Sequence, residues 1–206
     1  MRLKAMISIL CLSLLVPCAK AQSMEAMSAS VRMLLSNAIE APVNVEDDPG
    51  FSSQKEKEAW LDSMSARLKQ SIPNAFMRRH FLIVLHYEAD RAGLDPQLVL
   101  GLIQVESGFN QYAISTSSAR GYMQVMPFWI RQIGVKGQDL FNLETNLRYG
   151  CTILRHYIDA EHGNLYMALG HYNGAPGHAH YPDRVLFAWK HRWNWSNDLI
   201  LATYPN

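Results

Sequence analysis

The chain has 206 residues, of which 49% are hydrophobic and 18% charged, with a formal net charge of +1. That composition suits one folded domain with extensions and excludes a disordered or polyelectrolyte chain. The near-neutral balance gives no global field for nucleic acid or anionic lipid, so nucleic acid is excluded as a partner and any bound polymer must meet a local groove.

The chain begins "MRLKAMISILCLSLLVPCAKAQ", which has the anatomy of a secretory signal peptide over residues 1–21. Arg2 and Lys4 form the charged start, residues 7–16 the apolar stretch, and Ala19-Lys20-Ala21 a small-x-small cleavage site. The apolar run is too short to span a membrane. Cys18 follows an apolar run as a lipidated cysteine would, but Pro17 directly before it argues against that reading. Cleavage after Ala21 removes Cys11 and Cys18 and leaves Cys151, so an exported, periplasmic chain without an internal disulfide is expected.

Residues 22–53 read as an N-terminal helix and a linker. Met24, Met27, Val31, Leu34, Leu35 and Ala38 recur at helical spacing, and "PVNVEDDPGFSS" at 42–53 is acidic and turn-rich. From residue 54 to 206 the pattern is one helical domain. Trp60, Met64, Leu68 and Ile72 mark a helix stopped by Pro73, and 76–92 a further helix closed by Gly93. Asp95-Pro96 opens the next, as N-cap and first helical residue. It ends at Ser107-Gly108, before the polar loop "NQYAISTSSARG". A short helix is expected over 122–133, interrupted by Pro127. Asn142 caps a long helix with Leu143, Leu147, Gly150, Leu154 and Tyr157 on one face, ended by Gly163. Asn164 caps a short helix running through Tyr172 to Gly174. A last helix after Pro182 carries Val185, Leu186, Trp189 and Trp193. No stretch alternates with period two, so the fold class is all-α.

One residue breaks the pattern. Glu106 shares the face of Val99, Leu102 and Ile103, where a core side chain belongs. It also lies in the last turn, where the helix dipole disfavours a carboxylate by about 0.3–1 kcal/mol. Both effects push its pKa upward, and a carboxyl that stays protonated near neutral pH is what a glycosidic oxygen needs as a proton donor. On periodicity alone, a buried structural glutamate, paired with an arginine or bonded to backbone amides, is the more ordinary reading.

Its surroundings change the balance. "ESGFN" at 106–110, the loop through Ser115, "ARGYMQVMP" at 119–127 and "ALGHYNGAPG" at 168–177 together resemble the Slt-type lytic murein transglycosylases. These are bacterial enzymes of goose-type lysozyme-like fold that cut peptidoglycan glycan strands. The resemblance covers roughly 94–193. It implies a lysozyme-like domain over 54–206, Glu106 as catalytic acid/base, and a sugar groove lined by Ser115, Met123, Gln124, Met126, Tyr172 and Asn173. Ser115 and Gln124 offer groups for sugar hydroxyls and N-acetyl groups, and the methionines are plastic enough for an irregular groove. The Tyr172 hydroxyl is expected to hold the Glu106 carboxyl or a developing charge. Tyr122 stands where the family has leucine, and "YNGAPG" shifts a glycine of the family's "YNAGPG".

The activity so implied needs no cofactor and no metal. His171, His178 and His180 are close in sequence, yet no helix-spaced partner or carboxylate completes a ligand set. Cys151 reads as core. Arg184, Lys190 and Arg192 read as the wet face of the last helix, or as contacts for acidic peptide stems. Peptidoglycan strands are the expected partner, and the N-terminal helix is the place for cell-wall or secretion-system proteins. Two rivals stand beside this reading: a goose-type muramidase using water, with Asp139, Glu144 or Asp183 as second carboxylate, and a non-catalytic peptidoglycan-binding protein.

Overall fold

The computed structural model describes residues 27–42 and 50–196. The signal segment, Met24, Cys11, Cys18 and residues 43–49 of the linker lie outside the described residues. Among the described residues eight helices appear in this order: α1 (Ala29–Glu40), α2 (Gln54–Leu68), α3 (Ala75–Arg91), α4 (Pro96–Glu106), α5 (Phe128–Ile133), α6 (Leu143–Ala160), α7 (Leu165–Tyr172) and α8 (His180–Arg192). Beside them the described residues hold two isolated β-bridges, Ile114 with Arg120 and Arg120 with Val125. The all-α expectation holds.

The helix starts follow from side-chain caps. Ser28, Ser53, Asn74, Asp95, Asn142 and Asn164 each accept a hydrogen bond from a first-turn backbone N–H. Each satisfies a donor that the helix itself cannot. Among the boundaries that differ from the sequence reading, α2 ends at Leu68, short of Ile72, and α1 begins after Met27, while two others bear on the site. The helix expected over 122–133 is only Phe128–Ile133, and Pro127 begins it instead of interrupting it. Upstream, Gly121 at φ 74° and Gln124 at φ 48° leave helical space, and Arg120 exchanges backbone bonds with Val125. Helix α8 starts at His180, with Pro182 inside its first turn, where a missing N–H costs nothing.

α6 lies at the centre, with Leu147, Cys151, Ile153 and Leu154 fully buried. Burial pushes the Cys151 thiol far above its ordinary range, so it is an inert core group. Helix α1 packs on α5 and α6 through Leu35 and Ile39. Leu34, grouped by spacing with its inner face, is instead exposed.

The end of α1 is held by charge. Glu88 of α3, wholly buried, accepts from Arg148 Nη2 at 2.7 Å and from Arg91 Nε at 2.8 Å. Arg91 donates onward to the Ala38 carbonyl and Thr152, and Arg148 to the carbonyls of Ile39 and Ala41. Those carbonyls are the ones a helix C-terminus leaves without partners.

α4 packs most extensively against α8. Gly101 sits at their closest approach: a Cβ there would lie 2.9 Å from the Trp189 backbone nitrogen and 3.2 Å from the Val185 carbonyl. The two helices touch backbone to backbone.

Candidate active site

α4 ends at Glu106, and the chain turns at once through two left-handed residues, Gly108 at φ 59° and Phe109 at φ 68°. A left-handed phenylalanine is strained, and its ring is held by burial against Phe81 and Trp193. This turn stops α4 and leaves the Glu106 side chain at a helix end, partly buried and still open to solvent.

From α8 the Tyr181 hydroxyl donates to Glu106 Oε1 at 2.5 Å. Burial of the carboxyl raises the Glu106 pKa from 4.5 to about 7, more than the Tyr181 hydrogen bond and the Arg184 charge lower it. Near neutral pH the group is poised between donor and acceptor, as a single residue serving both roles requires. With the phenol donating to Oε1, Oε2 is the oxygen left to carry a proton when the carboxyl is neutral. Burial and the facing Glu106 push the Tyr181 phenol well above its usual range, so it stays a donor.

The expected partner of Glu106 needs correcting. Tyr172 is 1% exposed, and its hydroxyl donates to the Met123 carbonyl at 2.8 Å, not to Glu106. It ties α7 to the 121–125 turn and neighbours Tyr181 electrostatically. Tyr172→Phe should therefore cost about 1–3 kcal/mol of stability, because it leaves a buried carbonyl without its donor. Chemical denaturation of the two proteins checks this.

Met123 also lies deep. It is fully buried, packed on Gly150 of α6, and its backbone N–H donates to Asn146 Oδ1. It supports the turn from beneath instead of lining a groove. Asn146 further donates to the carbonyls of Arg120 and Leu140, so one buried amide on α6 holds the whole turn.

Gln124 spends both amide protons on the carbonyls of Ala113 and Gly121. Its Oε1 alone remains as an acceptor. Ser115 Oγ accepts from the backbone of Ser117 and Ala119, which commits its lone pairs and leaves its proton to donate. Met126 is half-buried against the core, and Asn173 half-buried at the C-cap of α7. The shifted glycine of "YNGAPG" still closes its turn: Gly174 takes φ 69°, and Ala175 N–H reaches the Gly170 carbonyl.

Tyr181 was missed from sequence. It lies 75 residues from Glu106, and "HYPDR" carries no spacing that joins it to α4. Among the described residues, no group of three or more His, Cys, Asp or Glu side chains converges as metal ligands.

Residues 84–184 match the family model for the transglycosylase SLT domain. The chain is 41% identical over 66 residues to membrane-bound lytic murein transglycosylase C of Mannheimia succiniciproducens, covering 32% of this chain and 17% of that protein. It is 39% identical over 98 residues to the protein of that name from Histophilus somni, covering 41% of this chain and 27% of the relative. Thus the chain spans well under a third of the length of these relatives. Among solved structures it is similar to an inactive mutant of the lytic transglycosylase Slt from Pseudomonas aeruginosa, at 26% identity and a TM-score of 0.42, covering 52% of this chain and 20% of that one. Over residues 84–184, just under half of its length, this chain is similar to the transglycosylase SLT domain.

Proposed function

We propose that this protein is a lytic transglycosylase that cleaves the β-1,4 bond between N-acetylmuramic acid and N-acetylglucosamine in peptidoglycan. The observation that carries the reading is Glu106: partly buried at a helix end, held by Tyr181, with a pKa of about 7. The protonated carboxyl gives its proton to the glycosidic oxygen as the C1–O bond breaks. The substrate's own N-acetyl carbonyl then bonds to C1. In the second step the C6 hydroxyl attacks C1, the carbonyl oxygen leaves, and the hydroxyl proton returns to the Glu106 carboxylate. The product is a 1,6-anhydro sugar, and Glu106 ends protonated as it began.

The groups set against Glu106 are a phenol and a guanidinium. The three carboxylates considered for activating water are engaged elsewhere. Glu144 pairs with His80, Asp139 accepts from the Phe141 N–H, and Asp183 faces Tyr166. This supports the intramolecular hydroxyl over water as nucleophile. The membrane-bound, murein-directed relatives support a cell-envelope location, in line with the signal sequence read at 1–21. No helix among the described residues is long and apolar enough to cross a membrane.

The test is the mass of the muropeptides released from purified peptidoglycan. Anhydro ends lighter by one water than reducing ends are expected, and reducing ends as the main product would make the protein a muramidase. The pH profile gives a second check. kcat/KM should fall as pH rises through about 7, since the acid must be protonated. Tyr181→Phe removes an interaction that lowers the Glu106 pKa, so that alkaline limb should move upward while the rate drops.

A further inference from the structure

A cavity of about 370 Å³ opens at the α4 terminus, and Tyr181 is not part of its lining. Three helix ends build it: Arg67 and Ser71 at the end of α2, Gln104 and Gly108 at that of α4, and Arg192 and Trp193 at that of α8. Its lining has two guanidinium groups and no carboxylate. Arg67 donates to the carbonyls of Arg192 and Asn194, so its charge answers the carbonyl end of α8. Arg192 makes no ion pair among the described residues, and its side chain is exposed. The Trp193 indole N–H donates to Gln104 Oε1 at 2.7 Å, which fixes that amide and leaves its NH2 protons for a ligand. The pocket therefore offers a free cation and neutral donors.

Its wall is continuous with the catalytic helix end, because Gly108 and Phe109 are the second and third residues after Glu106. The pocket and Glu106 thus share one helix end, where a strand cut at Glu106 would pass. We propose that the pocket takes a carboxylate of the peptide stem on that strand, with Arg192 as the charge that meets it. The proposal rests on the peptidoglycan reading above and adds a preference for strands whose stems are present.

The experiment compares kcat/KM on soluble, uncrosslinked glycan strands bearing peptide stems with kcat/KM on the same strands stripped by an amidase. The wild-type protein should favour stem-bearing strands by about three- to tenfold, the scale of one partly exposed charge-assisted contact. Raising the ionic strength should shrink that ratio. Arg192→Gln should bring it close to one, Arg192→Lys should retain part of it, and Lys190→Gln should leave it intact. An unchanged ratio in Arg192→Gln, or an equal fall in Lys190→Gln, overturns the proposal while leaving the role of Glu106 standing. A wild-type protein inactive on both substrates overturns the peptidoglycan reading, and this proposal with it.

Discussion

Glu106→Gln should abolish nearly all activity and, at alkaline pH, make the protein more stable. The amide keeps the shape and can still accept from Tyr181, but it cannot donate or take back the proton. Losing a general acid/base lowers turnover by about a hundredfold or more. The stability gain follows from the same pKa. Folding raises it from 4.5 to about 7, so the folded state disfavours the carboxylate. Below pH 4.5 the group is protonated whether folded or unfolded, and it costs nothing. Between 4.5 and 7 the unfolded chain ionises first, and stability falls as pH rises. Above about 7 the penalty is complete, on the order of 3 kcal/mol. Thermal melts of both proteins at pH 8 should put the Glu106→Gln variant higher by roughly 5–10 °C, with the gap closing near pH 4.5. Equal melting temperatures at pH 8 would mean that Glu106 is not held in a raised state, and full activity would end the mechanism.

Glu88→Gln should be the most damaging substitution away from the site. It leaves the buried Arg148 and the half-buried Arg91 beside a neutral amide, and stranding one side of a buried pair costs on the order of 3–5 kcal/mol. The two arginines would still bond to the carbonyls at the end of α1, but without the carboxylate that fixes them. Denaturation midpoints should fall accordingly, and amide exchange should rise first in α1, whose attachment depends on those donors. A midpoint within about 1 kcal/mol of the parent would show that water replaces the charge and that the cluster is wetter than its burial suggests.

The contrast between Glu88 and Glu106 shows what the sequence could carry. Glu106 was legible because a carboxylate on the face of Val99, Leu102 and Ile103 contradicts the period around it. The helix caps were legible because Ser, Asn and Asp act on backbone groups two or three residues away. Glu88 was not, since "HYEADR" looks like any solvated turn and its partner Arg148 lies 60 residues on. Tyr181 was hidden for the same reason, with its contact made only when α8 crosses α4. Tyr172 drew a role that belongs to Tyr181, because a tyrosine beside a turn gives no sign of where its hydroxyl ends up. The "GYMQVMP" stretch was read as helix, although its shape depends on an asparagine of α6 that no local pattern could supply.

The bare backbone at Gly101 has a bearing on the contact between Glu106 and Tyr181 that neither side chain reveals. Acid and phenol sit on separate rods, and nothing near them in the chain fixes their spacing. The crossing of α4 and α8 acts as a fulcrum, and Gly101 sits on it, five residues and about 7.5 Å along the axis from Glu106. A single methyl there would meet the Trp189 backbone at 2.9 Å and act as a wedge. Gly101→Ala would leave every chemical group in the sequence untouched and still pry Tyr181 away from Glu106. Part of the Glu106–Tyr181 geometry in this protein is thus held by an atom that is not there.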